Sequence, residues 1–458
     1  MRHSFRADLR RLVPLAWPVF VGQVAVLAFA TVDTFLLARY SAIDLAALAV
    51  GAAIYVSVFV GLMGVVLAVS PIVGQLFGAG QLDKAGRQLH QAAWLAIFLA
   101  VLGNAVLIFP APLLAIAHAG AEVESRVREY LLALAVALPP ALLFTAYRGF
   151  NTAVSRPKAV MSLQVGGLLL KIPLSALLVW GAGPIPSLGT LGCGIATAIV
   201  MWIQCAAGLW MLRRDEFYDR FGLRHGGLHK PHWPDLRALL RLGLPMGSSI
   251  AIEVTGFTFM AIFIARLGPT TVSGHELAIN LVSMMFMMPM AIGVASGTLV
   301  AQAVGARDHE DARRVAGHSM ELGLGVAAVM GGACFLFREQ VLRLYTHDGA
   351  ILAAALPLLL WVWIFHMADA VQTVAANILR AYHIATAPVV IYALAIWGVG
   401  IGGGYYMAFS GSPRVPDSLR GASGFWSAAT AGLVLAALGL TLFMRWLHRQ
   451  NQAPQPGS

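Results

Sequence analysis

Long, uninterrupted apolar runs restrict the possible folds of this sequence more than any other feature. About 20 consecutive apolar residues are enough to cross the hydrocarbon core of a bilayer, and roughly twelve runs of that length occur here. Of the 458 residues, 59% are hydrophobic and only 11% are charged, too few to cover a soluble protein of this size. A transmembrane β-barrel would alternate polar and apolar residues, which these runs do not. The sequence therefore predicts an all-α polytopic membrane protein.

The run lengths predict about twelve transmembrane helices. The predicted spans are 13–38, 44–73, 88–109, 127–150, 159–180, 189–212, 239–266, 275–303, 316–337, 350–379, 386–409 and 421–446. Of the 31 Lys and Arg residues, 22 lie on the side that holds both termini, 8 lie on the other side, and Lys171 lies within a span. The positive-inside rule therefore predicts cytoplasmic termini. The net charge of +10 has the same origin, and we expect no nucleic-acid partner because no basic soluble domain is present.

The two halves of the chain repeat each other. A shift of 227 residues aligns 8–18 with 235–245, and the same shift aligns 75–87 with 302–314. We therefore predict an N-terminal six-helix lobe at 1–212, a cytoplasmic linker loop at 213–238 and a C-terminal six-helix lobe at 239–458. Six spans return the chain to the same side, so the lobes should be related by a pseudo-twofold axis along the membrane normal. Transporters with such repeats place their sites between the lobes and alternate access by rocking them.

Three carboxylates within predicted spans are candidate site residues, namely Asp33, Glu253 and Asp369. A charge inside a membrane needs a partner, a proton, a cation or a wet cavity. If Glu253 and Asp369 face each other, both cannot easily stay ionised, so the pair would take up a proton or a monovalent cation such as Na⁺. We therefore predict that these acids bind a coupling ion and that no other cofactor is needed.

Polar neighbours on the same helix faces support this prediction. Helical spacing places them on stripes of spans seven and ten, and they are Ser249, His366, Thr373 and Asn377. Oxygen ligands of this kind suit Na⁺, whereas His366 is equally consistent with simple packing or a proton relay. Lys171 has two interpretations as well, because it could pair with Asp33 or extend to the membrane surface.

A Met-rich run in span eight is a candidate substrate surface. It contains Met284, Phe286, Met287 and Met288. Such runs most often form ordinary core, but flexible thioethers also suit a surface that accepts many apolar ligands. The acids Glu276 and Asp348 lie on the predicted outer side, where they could attract cationic ligands or be solvated loop charges.

No enzyme motif is present. The segment at His275 lacks the second His of H-E-x-x-H, and neither a P-loop G-x-x-x-x-G-K-[ST] nor a G-x-S-x-G occurs. We therefore expect a transporter that is not an enzyme and is not driven by ATP through this chain.

Over essentially its whole length the chain resembles the multidrug and toxic compound extrusion (MATE) family, in its NorM-type branch. The resemblance rests on VDTFLLARYSAIDLAALAVG at 32–51, PIVGQLFGAG at 71–80, GLPMGSSIAIEV at 243–254, HELAINLVSMMFMMPMAIGVASGTLVAQAVGA at 275–306 and DAVQTVAANILRAY at 369–382. Span five departs from the family, since Lys171 and Ser175 stand where many members are Asn-rich.

The resemblance implies a V-shaped fold of two lobes that exports cationic, amphipathic drugs in exchange for Na⁺ or H⁺. It implies a monomer in the bacterial inner membrane. Asp33 matches the family's N-lobe aspartate, and Glu253 and Asp369 match the C-lobe cation site. The alternative is a flippase for lipid-linked oligosaccharides, which shares a distant superfamily architecture.

Overall fold

The computed structural model describes residues 5–117 and 120–450, and the regular secondary structure there is helical apart from one isolated bridge between Ala182 and Ile185. Twelve helical segments are long and apolar enough to cross a membrane, which confirms the predicted class and number of spans. They are α1 (Phe5–Ala38), α2 (Ala42–Gly78), α3 (Leu82–Ile108), α4 (Ala121–Ala153), α5 (Pro157–Trp180), α6 (Thr190–Arg214), α7 (Trp233–Ala265), α8 (Pro269–Gly305), α9 (His309–Leu336), α10 (Leu358–Ala381), α11 (Thr386–Phe409) and α12 (Ala422–Gln450). The short helices between them are Ala111–Ala117, Glu216–Phe221, Arg338–Arg343, Gly349–Ala355 and Asp417–Leu419.

Several helices extend beyond the apolar runs that predicted them. α1 begins at Phe5 instead of 13, and α7 begins at Trp233 instead of 239. The apolar run measures only the hydrocarbon crossing, whereas a helix can continue into the interfacial region, where its polar side chains are solvated or form ion pairs. The additional turns carry charged residues, among them Asp8 and Asp235.

The predicted span 350–379 is wrong as a single helix. The chain forms the short helix Gly349–Ala355 and then α10, with Pro357 at the N-cap of α10. Proline has no backbone N–H to donate and its ring clashes with the preceding turn, so a helix breaks there. Two other spans contain irregularities that the apolar pattern does not reveal, a discontinuity at Leu67–Ala68 in α2 and a π-helical stretch, Ala393–Gly402, in α11.

The described helices form two compact units whose boundaries lie inside α1 and α7. The N-terminal unit is Trp17–Gly247, and the C-terminal unit joins the described residues up to Ala16 with those from Ser248 onward. The predicted lobes, 1–212 and 239–458, remain a prediction. Their boundaries differ from those of the two compact units. In the structure the linker loop and the start of α7 are part of the N-terminal unit, and the start of α1 is part of the C-terminal unit.

One helix forms the centre of each unit. In the N-terminal unit α4 packs against α2, α3 and α6, and in the C-terminal unit α10 packs against α8, α9 and α12. These two helices are the most buried of the twelve spans, and they occupy the fourth and tenth positions, which are equivalent in a six-helix repeat. The duplication seen in the sequence is therefore also a duplication of packing.

Two ion pairs obey the same 227-residue shift. In the C-terminal unit, Arg314 Nε donates to Asp8 Oδ2 at 3.0 Å. In the N-terminal unit, Arg87 Nε lies 3.3 Å from Asp235 Oδ2. Asp8 and Asp235 are equivalent in the repeat, as are Arg87 and Arg314. Each pair therefore fixes the first turns of α7 or α1 to the third helix of a repeat.

The linker loop packs on the N-terminal unit. Gln91 makes two hydrogen bonds with its backbone, donating to Lys230 O at 2.9 Å and accepting from His232 N at 2.8 Å. At the start of the loop Arg156 Nη1 donates to Asp215 Oδ2 at 2.5 Å. Although burial opposes the shift, the backbone N–H of Phe217 and the Arg156 guanidinium hold the pKa of Asp215 below its usual value.

We expect the two repeat-related aspartates to differ in their contribution to stability. The Asp8 side chain is 1% exposed, whereas that of Asp235 is 16% exposed and its partner Arg87 is 39% exposed. Asp8→Asn should lower the free energy of unfolding by about 2–3 kcal/mol, because it leaves Arg314 facing a buried neutral group. Asp235→Asn should lower it by less than about 1 kcal/mol, as exposed pairs do. Denaturant unfolding of the purified protein in detergent measures both, and equal losses would contradict this difference in burial.

Candidate functional site

A single glutamine side chain links the two acids of the C-terminal unit. Gln372 Nε2 donates to Asp369 Oδ1 at 2.9 Å and to Glu253 Oε1 at 3.2 Å. Gln372 and Asp369 lie three residues apart on α10, and Glu253 comes from α7. The structure therefore brings Glu253 and Asp369 to the same group, although they are 116 positions apart in the sequence.

Tyr392 fixes the orientation of that amide. Its hydroxyl, on α11, donates a short hydrogen bond to Gln372 Oε1, and the Tyr392 side chain is buried. Because the amide oxygen is used by Tyr392, its NH₂ group faces the two carboxylates. Sequence reasoning missed both residues. The i, i+3 spacing of Asp369 and Gln372 is the only sequence signal for the amide, and no comparable spacing relates Tyr392 to it.

The predicted supporting residues differ in how close they come to the acids. Thr373 Oγ1 accepts from Gln372 Nε2 at 3.1 Å and so belongs to the same network. Asn377 instead donates to the backbone oxygen of Thr373 at 2.9 Å. Ser249 is buried one turn before Glu253. His366 is fully buried, and within the described part of the chain neither of its ring nitrogens has a hydrogen-bond partner.

This arrangement can hold one small positive charge. Two carboxylates share a neutral amide, so the network itself supplies no cation to compensate them. Among the described residues no group of three or more His, Cys, Asp or Glu side chains is placed to hold a metal ion. The groups that could contact a bound ion are the two carboxylates, the Thr373 hydroxyl and the Gln372 amide. Oxygen ligands of this kind suit a proton or a hard monovalent ion such as Na⁺.

Asp33 is compensated within the N-terminal unit. Lys171 Nζ donates to Asp33 Oδ2 at 2.9 Å and to Thr197 Oγ1 at 2.6 Å. Ser175 Oγ donates to Asp33 Oδ1 at 3.3 Å. The Lys171 side chain is 0% exposed, so of its two interpretations the structure adopts the pair and not the extension to the surface.

The residues of the candidate substrate surface have different environments. Met284 is 53% exposed, and Tyr345 Oη lies 3.5 Å from its sulfur. Met288 packs against the hydrophobic core of the C-terminal unit, whereas Phe286 and Met287 are half-buried. The acids differ too. Glu276 is exposed on α8, and Asp348 caps the helix Gly349–Ala355 by accepting from Ala350 N at 2.8 Å.

The MatE family model matches residues 18–177 and 245–406, which together make up more than half of the chain. The chain belongs to the MatE family. The two matches begin 227 positions apart, at 18 and 245, which is the shift of the internal repeat. The resemblance to the MATE family is thereby confirmed for both halves of this MatE protein.

Relatives and solved structures agree with this assignment. The chain is 41% identical over 445 residues to the probable multidrug resistance protein NorM of Aromatoleum aromaticum, covering 97% of this chain and 96% of that protein. It is 34% identical to the multidrug resistance protein NorM of Vibrio cholerae, covering 99% and 98% of the two chains. The fold matches the crystal structure of the eukaryotic MATE transporter AtDTX14 with a TM-score of 0.86 at 18% identity, over 98% and 99% of the two chains.

The Asp33–Lys171 pair of this MatE protein should behave as one unit in a double-mutant cycle. Lys171→Gln should lower the free energy of unfolding by about 3 kcal/mol, because it leaves a buried carboxylate without its cation. Adding Asp33→Asn should recover part of that loss, since both charges are then absent. Unfolding in detergent measures the cycle, with Ser175→Ala as a control expected to cost about 1 kcal/mol. Strictly additive losses would show that the two charges do not interact.

Proposed function

We propose that this protein is a secondary active exporter of small cationic amphipathic molecules, coupled to the inward movement of Na⁺ or H⁺. It resides in the inner membrane of a bacterium as a monomer, with both termini in the cytoplasm, and is not an enzyme. The names of the relatives support this function, because they describe multidrug resistance proteins. They give no support to the alternative of a flippase for lipid-linked oligosaccharides.

The observation that carries the proposal is the amide shared by Glu253 and Asp369. Two acids from different helices are hydrogen-bonded to one neutral side chain, and the charge of Arg380 acts on Glu253 without a hydrogen bond. An ion that binds to Glu253 and Asp369 takes the place of the N–H groups donated by Gln372. The ion and Gln372 therefore compete for the same carboxylate oxygens. Ion occupancy thus changes how α7 is connected to α10.

The Gln372–Tyr392 hydrogen bond extends this change to α11. If the amide turns its oxygen toward a bound cation, Tyr392 loses its acceptor, so the network has two alternative arrangements. A ligand shifts a conformational equilibrium only by its difference in affinity between the states. Here that difference comes from whether the two carboxylates are bound by an ion or by an amide.

Asp33 has a separate role in this proposal. The Lys171 side chain already binds its carboxylate, so Asp33 is less available to a coupling ion and instead tunes the binding of a cationic substrate. We assign the coupling ion as Na⁺, bound by Glu253 and Asp369 with oxygen from Thr373, and keep H⁺ as the alternative. The Met-rich run at 284–288, with Glu276 and Asp348 outside it, remains the proposed substrate surface.

Reconstitution in liposomes tests the site and the ion together. We expect a Na⁺ gradient alone to drive ethidium efflux, and Glu253→Gln to slow it at least tenfold. The control is Glu129→Gln, which neutralises an exposed acid of α4 and should leave the rate unchanged. Efflux driven only by a pH gradient would show that the coupling ion is H⁺ and not Na⁺. Efflux that Glu253→Gln leaves unchanged would contradict the site, and no ethidium efflux under either gradient would contradict the exporter.

Tyr392→Phe tests whether the orientation of the Gln372 amide opposes Na⁺ binding. Removing the hydroxyl frees the Gln372 amide to turn its oxygen toward Glu253 and Asp369. One hydrogen bond contributes about 1 kcal/mol, so the Na⁺ concentration for half-maximal efflux should fall about fivefold. The measurement is the Na⁺ dependence of efflux rate at fixed pH. A rise in that concentration would show that the fixed amide orientation assists Na⁺ binding instead of opposing it.

A further inference from the structure

A deep groove lies between α9, α10 and α12 in the C-terminal unit, and neither Glu253 nor Asp369 lines it. It encloses about 730 Å³. Its depth comes from small residues on all three helices, namely Gly317, Ala368 and Ala437. A Cβ built on Gly317 would meet no atom within 4 Å. Leu324 and Leu438 line the same groove and are 43% and 54% exposed, so the groove opens at the surface of the unit.

One end of the groove is basic. Arg313 of α9 and the α12 residues Arg445 and Arg449 line it together with His448, on the side that the distribution of Lys and Arg predicts to be cytoplasmic. Within residues 5–117 and 120–450, none of these three arginines has a carboxylate oxygen within 4.0 Å. Glu321 is the one acid of the lining, so the lining carries a net positive charge.

Nearby arginines on the same unit show the contrast. Arg11 and Arg314 are both paired with aspartates, at 2.9 Å to Asp311 and 3.0 Å to Asp8. The arginines of the groove thus keep their charge available although acids are close in the sequence. His448 is held in place at this end, with Nε2 3.1 Å from the hydroxyl of Tyr382.

The length of the groove matches one leaflet of a bilayer. Its lining on α12 runs from Val434 to Arg449, which is roughly 22 Å at the helical rise per residue. The apolar part of that length is close to half of the hydrocarbon core, about 15 Å. An apolar channel one leaflet deep that ends at unpaired cations matches a molecule with an acyl chain and an anionic head.

We propose that this groove binds an anionic phospholipid of the cytoplasmic leaflet. The phosphate group lies at Arg313, Arg445 and Arg449, and one acyl chain runs along Gly317, Ala368 and Ala437. Basic sites between transmembrane helices on the cytoplasmic side bind anionic head groups in this way. The inference concerns the surface that faces lipid and does not depend on which ion or substrate the protein transports.

Native mass spectrometry of the purified protein tests the head-group contact. The probes are phosphatidylglycerol and phosphatidylcholine with the same two oleoyl chains, titrated separately in detergent. We expect phosphatidylglycerol to bind at least tenfold more tightly. The double variant Arg445→Gln/Arg449→Gln should weaken its binding roughly thirtyfold, the fold-change for about 1 kcal/mol per arginine. The matched control is Arg10→Gln/Arg237→Gln, which removes two exposed arginines outside the groove and should leave the affinity unchanged.

A steric variant tests the acyl-chain contact without changing any charge. Gly317→Leu should fill the groove and reduce phosphatidylglycerol binding at least tenfold. Gly325→Leu is the matched control, since it lies on the same helix, has equally open space and does not line the groove. Both variants replace a helical glycine with a better helix former, so neither should prevent folding. Equal binding of the two lipids by the unmodified protein, or equal binding by the two leucine variants, would overturn the proposal.

Discussion

A carboxylate buried in a membrane span must be compensated, and the two units of this protein compensate theirs by different means. In the N-terminal unit the Lys171 ammonium forms an ion pair with Asp33, so this carboxylate is compensated within its own unit. In the C-terminal unit Glu253 and Asp369 share the dipole of the Gln372 amide, and the charge of Arg380 acts on Glu253 without a hydrogen bond. Fixed compensation favours a structural or tuning role, whereas incomplete compensation leaves a site that a mobile ion can complete. In the proposed function, this difference between a lysine and a glutamine separates the roles of the two units.

The repeat explains the scaffold but not these sites. The shift of 227 residues relates the ion pairs Asp8–Arg314 and Asp235–Arg87 and the two matches to the family model. The same shift places Met260 opposite Asp33 and Val26 opposite Glu253. Each of these acids therefore stands where the other half has an apolar residue. The duplicated helices share their packing, and the chemistry lies at positions where the halves differ.

The sequence predicts the features that depend on composition over long windows. Twelve spans follow from apolar length, and the anomalous acids follow from the cost of burying charge. Helix ends were predicted less well, because the apolar run stops before the helix does at α1 and α7. The sequence alone could not decide whether Lys171 contacts Asp33 or extends to the surface, since the two residues lie 138 positions apart. Gln372 and Tyr392 escaped notice because an amide or a phenol on an apolar helix is common and becomes informative only when its neighbours are known.

The boundaries inside α1 and α7 have a consequence for how such a chain could be divided. The first turns of each of these helices are part of one compact unit, while the remainder is part of the other. A chain that contained only the first six spans would have Asp8 and Arg87 but would lack the residues with which they pair here, Arg314 and Asp235. Two copies could satisfy each other by exchanging their N-terminal turns, as in a domain-swapped dimer. The 458-residue chain contains that exchange within itself, so neither half is complete without the other.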